Sequence, residues 1–146
     1  MAASPVVLDA STTLAWLIRR VKADEDRLAD EALRQIQIGG AVVPALWFPE
    51  VANGILVAER RGGVSLATSA SFLGLVETLP IDQDKVEPSS VFKTVLLLAR
   101  MYGLTSYDAL YLELVLRTRG TLATFDGQLA EAVRKAGGRV FGDPAM

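Results

Sequence analysis

The chain contains no cysteine and no histidine. Without cysteine there is no disulfide framework and no thiolate metal site, which fits a cytoplasmic protein. Without histidine there is no imidazole acid–base catalysis, no Ser-His-Asp triad and no His-containing metal site. Any catalysis falls to carboxylates, hydroxyls, Lys, Arg, Tyr or a metal held by oxygen. Oxygen-only ligation selects hard cations such as Mg²⁺ or Mn²⁺. Long apolar runs are missing too, since a membrane helix needs about 20 such residues. The stretch around Trp47 and Phe48 comes closest, and Pro44, Pro49, Glu50 and Asn53 break it. No basic flank precedes the N-terminal apolar segment, and Asp9 interrupts it; no secretory signal is read there. The phosphate loops G-x-G-x-x-G and G-x-x-x-x-G-K-[ST] are absent, as is the G-x-S-x-G elbow. "LDAST" lacks the second Asp of the D-x-D-x-T pattern of aspartate-based phosphatases.

Excess positive charge is also missing. The net charge of −2 argues against a general nucleic-acid coat and leaves room for a local basic groove. Arg outnumbers Lys eleven to four, and guanidinium suits phosphate better than ammonium does. Arg60, Arg61, Arg117 and Arg119 are candidates for such a groove, built from two chains of a dimer. Their plainer reading is solvated helix ends in a favourable dipole.

What is present is a globular composition, 51% hydrophobic and 22% charged over 146 residues. We read one domain, 1–146, with no internal repeat and no linker. Residues 5–8 read as a short buried strand, and Ser11 or Thr12 can cap a helix to about Arg20. An amphipathic helix follows from Asp24 to Ile38, then strand "AVVP", stopped by Pro44, then a helix from Leu46 or Trp47 to Arg61. Ser65 to Glu77 is helical and "LPI" gives a third strand. Ser89 or Ser90 caps a helix to Met101, and Thr105 starts the next. "TLAT" is a fourth strand, Asp126 caps a last helix, and "RVF" is a fifth strand candidate. Strands that are continuous apolar runs and alternate with helices predict an α/β fold, three-layer α/β/α, with a parallel sheet of four or five strands. Function in such sheets lies at the carboxyl ends of the strands.

Four acids fall at those ends or at the starts of following helices: Asp9, Glu50, Asp108 and Asp126. Each has a plain structural use. Asp9 can begin a turn or cap a helix. Glu50 sits in a first helical turn. Thr105 to Asp108 fits a capping box, and Asp126 fits a helix cap. Together they are a poor structural device, because four carboxylates on one rim repel. The set makes sense if divalent cations neutralise it, and two such metals can serve phosphodiester hydrolysis. Ser11 and Thr124 lie two residues from Asp9 and Asp126 and can orient carboxylates or meet a phosphate oxygen; backbone capping is their plainer use. Asn53, one turn after Glu50, can touch a ligand. Gly54 beside it permits close helix packing, against this chain or another subunit. Glu113 is given a supporting role at most, and "IDQD" at 81–84 reads as turn.

"VVLDAS", "WFPEVANGI", "LTSYDALYLELV" and "LATFDGQLAEAVRKAG" resemble the four acidic motifs of PIN-domain ribonucleases. More narrowly they resemble VapC-type toxins of VapBC toxin–antitoxin pairs. The motifs occur in the family's order and span nearly the whole chain. The resemblance implies a PIN-like domain and Mg²⁺- or Mn²⁺-dependent cleavage of RNA, with tRNA or another structured RNA as a candidate target. It implies catalytic and metal-binding roles for Asp9, Glu50, Asp108 and Asp126, the last being the family's most variable acid. Ser11 and Thr124 match its hydroxyl positions. It also implies a homodimer and a cognate antitoxin whose tail obstructs the site. Two other readings stay open: a metal-dependent phosphatase on small phosphoesters, and a degenerate PIN domain that only binds protein.

Overall fold

The computed structural model describes residues 4–144. Five strands form one parallel sheet in the order β3-β2-β1-β4-β5. They are β1 (Val6–Leu8), β2 (Ala41–Val43), β3 (Ile81–Gln83), β4 (Thr121–Ala123) and β5 (Arg139–Val140). The helices are α1 (Ala10–Leu14), α2 (Ala23–Gly39), α3 (Trp47–Arg60), α4 (Leu66–Thr78), α5 (Pro88–Ser90), α6 (Leu96–Tyr102), α7 (Ser106–Thr118) and α8 (Gly127–Lys135). A π-helical turn, Val91–Val95, joins α5 to α6. Among the described residues no helix is long and apolar enough to cross a membrane.

Strand alternation sorts the core into two layers. Val42, Val7, Leu122 and Val140 face α7 and α8, where they meet Tyr111, Leu112, Val115, Leu129 and Val133. Leu8, Val43 and Ala123 face the opposite layer, packing with Ala32, Ile36, Trp47, Val51, Ile55 and Phe72 of α2 to α4. Both faces are covered, which is why short strands carry apolar residues at successive positions.

Several boundaries differ from the sequence expectation, each for a local reason. Asp9, not Ser11 or Thr12, caps α1. That helix does not reach Arg20. After Leu14 the backbone tightens, with Trp16 N donating to Thr13 O and Leu17 N to Leu14 O. This lets the Trp16 indole donate to Ala29 O at 2.8 Å and fasten the segment to α2. "IDQD" is not simply a turn: Ile81, Asp82 and Gln83 pair with Ala41, Val42 and Val43 at the sheet edge. There backbone pairing overrides side-chain propensity. Glu87, not Ser89 or Ser90, precedes the helical run, because Pro88 suits its first position. Gly54 packs within the chain: a Cβ there would meet Leu14 Cδ1, so its small size serves the α1–α3 contact.

Candidate functional site

β1 ends where its alternation would next point toward the α7 layer, and that next residue is Asp9. Its N–H still donates to Ala123 O at 3.0 Å, which holds it at the centre of the rim. The side chain is buried, 7% exposed. Oδ1 accepts from Ala10 N at 2.8 Å, and Oδ2 accepts from Ser11 Oγ at 2.8 Å and Thr124 Oγ1 at 2.6 Å. Each hydroxyl also accepts a backbone N–H: Phe125 N to Ser11 Oγ at 2.9 Å, and Asp126 N to Thr124 Oγ1 at 3.0 Å. The loop after β4 is thereby strapped to the start of α1. Burial raises the Asp9 pKa above the ordinary carboxylate value. The bonds from Thr124, Ser11 and Ala10 oppose the rise, and the Asp126 charge adds to it.

Glu50 lies in the first turn of α3, half-buried, with Oε1 accepting from Tyr111 Oη at 2.6 Å. Its pKa is also raised, first by burial and then by the charges of Asp9 and Asp108, against the lowering effect of the Tyr111 bond. Asp108 lies in the first turn of α7. Only half of the expected capping box forms: Thr105 Oγ1 accepts from Asp108 N at 3.1 Å. The Asp108 carboxylate accepts no hydrogen bond from the described residues. Burial, then Asp126 and Asp9, push its pKa from 3.8 to about 6. Asp126 caps α8, with Oδ1 accepting from Leu129 N at 3.0 Å. Asn53 is exposed, and its side chain takes part in no hydrogen bond among the described residues.

The structure thus brings all four acids to one rim, where they repel one another. The donor set is entirely oxygen, which suits a hard divalent cation. Among the described residues, however, no three acidic side chains stand close enough to grip one ion as placed.

Other expectations shift more. Glu113 is buried and accepts from Arg117 Nε at 2.6 Å, while Arg117 Nη2 donates to Asp84 at 2.6 Å. These groups tie α7 to the end of β3. Arg117 is thus engaged by carboxylates, which hold its pKa further above the usual range. Within one chain, Arg60, Arg61, Arg117 and Arg119 stand at the C-terminal ends of α3 and α7, and the acids stand at the N-terminal ends. At 1.5 Å per residue, Arg60 is about 15 Å along its helix from Glu50. The Arg20 guanidinium lies 4.9 Å from the ring centroid of Phe125, the residue before Asp126, and is paired with Glu25 at 3.3 Å. Sequence reading missed Tyr111. Its signal was a tyrosine one turn beyond Asp108 on the same helix, where a buried hydroxyl must find a partner.

Fold and rim together define an α/β/α domain with an acidic site at the carboxyl end of its sheet. The chain belongs to the PIN-domain family, whose model matches residues 6–135. PIN domains are generally metal-dependent nucleases that act on RNA and usually use Mg²⁺ or Mn²⁺. The crystal structure of PAE2754 from Pyrobaculum aerophilum is similar, with a TM-score of 0.64 and 22% identity over 88% of this chain and 78% of that one. At that identity the likeness speaks for the fold. No curated protein matches the chain.

Proposed function

We propose that the chain is a metal-dependent endoribonuclease and the toxin of a type II toxin–antitoxin pair. The observation that carries the nuclease reading is the Asp9 carboxylate, buried at the end of the central strand and electrostatically coupled to Glu50, Asp108 and Asp126. A structural aspartate has no need of three acidic neighbours.

In this reading Asp9 and Asp108 would be the central ligands of Mg²⁺ or Mn²⁺, and Asp126 an outer ligand or one for a second ion. When bound, the metal would polarise the scissile phosphate and stabilise the departing 3′-oxygen. Ser11 and Thr124 orient Asp9, each through a hydrogen bond to Oδ2. Glu50 serves as ligand or as the base that orients the attacking water. Arg20, beside Phe125 and paired with Glu25, would have to exchange that partner to meet an RNA phosphate. The partner half of the reading, a homodimer and a cognate antitoxin, draws support from an apolar groove of about 620 Å³ along α3 and α4. Phe48, Val51, Ile55, Leu56, Leu73 and Val76 line it, and open apolar surface of this kind marks an interaction site.

The test is hydrolysis of RNA and of a chromogenic phosphomonoester, each with Mg²⁺, Mn²⁺ or chelator, beside the Asp9→Asn variant. Metal-dependent RNA cleavage that Asp9→Asn abolishes supports the proposal. Turnover of the phosphomonoester alone replaces it with a phosphatase, and inactivity on both leaves a binding module. Sequencing RNA ends after brief induction would identify the target.

A further inference from the structure

α3 delivers Glu50 to the rim on a flexible side chain that is only half-buried. Nothing in α3 itself fixes the carboxylate. One hydrogen bond does, and it comes from the other side of the sheet's rim, 61 residues away. Tyr111 Oη donates to Glu50 Oε1 at 2.6 Å, a short bond of the charge-assisted kind. The donor is as rigid as a side chain can be. Tyr111 is 0% exposed, with its ring packed among Leu112, Leu122 and Leu129. It stands one helical turn beyond Asp108, so the helix that places one acid also places the anchor of another.

We propose that Tyr111 is a positioning residue, whose hydroxyl holds Glu50 so that Oε2 faces the other carboxylates and is available to a divalent cation. The inference rests on the metal-dependent reading of the site. It competes with a plainer role, in which the bond only satisfies a buried phenol. The partner distinguishes the two. A phenol that merely needs an acceptor is served by any backbone carbonyl, without drawing a carboxylate into a part-buried site where its charge is costly. Burial, the bond to Glu50 and the charges of Asp9 and Glu50 keep the phenol in its protonated, donating form. Groups that orient a ligand from behind typically change metal affinity or activity by about 10–100-fold when removed.

The experiment is a calorimetric Mn²⁺ titration of the full chain and of Tyr111→Phe, Glu50→Gln and the double variant, with a thermal melt of each. Phenylalanine keeps the ring and removes only the donor. The expected result is Mn²⁺ binding weakened about tenfold in Tyr111→Phe. The double variant should be no weaker than Glu50→Gln alone, because the two act as a unit. RNA cleavage should then show a reduced kcat with KM unchanged. Wild-type Mn²⁺ affinity in Tyr111→Phe, or losses that simply add in the double variant, would overturn the inference and leave the nuclease reading standing. A wild-type chain that binds no Mn²⁺ would overturn both. If Tyr111→Phe does not fold, Glu50→Asp supplies the second arm, because its carboxylate, one methylene shorter, is withdrawn from Tyr111 Oη: a loss of about tenfold in Mn²⁺ affinity supports the inference, and wild-type affinity there would overturn it.

Discussion

Ser11 and Thr124, separated by 113 positions, converge on the same oxygen of Asp9, and their own oxygens lie 3.3 Å apart. Both hydroxyl protons are given to Asp9, so the two residues touch without bonding each other. The pair joins the first strand to the fourth and sets the aim of the most buried acid on the rim.

Thr124→Val keeps the shape and removes the donor. It should destabilise the fold by about 1–3 kcal/mol, because a buried carboxylate loses its shortest hydrogen bond. Ser11→Ala, less buried, should cost less. Urea denaturation followed by circular dichroism measures both. Equal stability of Thr124→Val and wild type would mean that the bond contributes nothing.

Without metal, the rim should make the protein less stable as pH rises. Burial first, then Asp126 and Asp9, raise the Asp108 pKa from 3.8 to about 6. Between those values the folded chain holds more protons than the unfolded one. Stability from this group is therefore full below the lower value and declines as pH climbs through the upper one. Melting in chelator across that range should show the decline, and Asp108→Asn should flatten it.

The same variant should melt higher than wild type at neutral pH in chelator, by about 2–4 °C, since it removes a charge that its neighbours oppose. Added Mn²⁺ should raise the wild-type melting temperature and leave Asp108→Asn nearly unmoved. A variant less stable than wild type in chelator would indicate that Asp108 is a structural acid after all.

Asp9→Asn should reduce RNA cleavage by about three orders of magnitude or more, with the fold retained. The amide oxygen can still accept from Ala10 N, and the NH2 in place of Oδ2 can donate to the Ser11 or Thr124 hydroxyl oxygen, so circular dichroism should match wild type. Near-normal cleavage by this variant would remove Asp9 from the chemistry.

Arg117→Ala should leave cleavage unchanged and cost about 2 kcal/mol of stability. Glu113, buried at 7% exposure, would lose its cation, and Asp84 would be left unpaired at the end of β3. Reduced RNA binding with intact stability would instead return Arg117 to a phosphate-binding role.

The sheet and the rim acids were readable because their signals are local. A strand three residues long that stops at Asp9, and a turn that caps α8 with Asp126, each carry their pattern within a few positions. The parallel pairing and the placement of Glu50 and Asp108 at helix starts followed from alternation of element types, which left the strand count at four or five; the structure has five. What resisted reading depends on partners remote in sequence. Tyr111 carried no role in the sequence reading, because the group that reveals it, Glu50, lies 61 positions away. Arg117 looked like a free cation until Asp84 and Glu113 claimed it. β3 was read two residues too early, as "LPI", because Asp82 and Gln83 are polar and exposed, and only the edge pairing with β2 defines where the strand runs.

The central strand is the first to be translated, yet the threonine that completes its terminal aspartate comes from β4. A growing polypeptide folds from its leading end as it emerges from the ribosome. Until Thr124 arrives, Asp9 lacks its shortest hydrogen bond and the rim lacks Asp108 in its final place, because α7 packs against β1 and β4 together. Assembly of the acidic rim is thereby postponed to a late stage of synthesis, after α7 and β4 have both emerged.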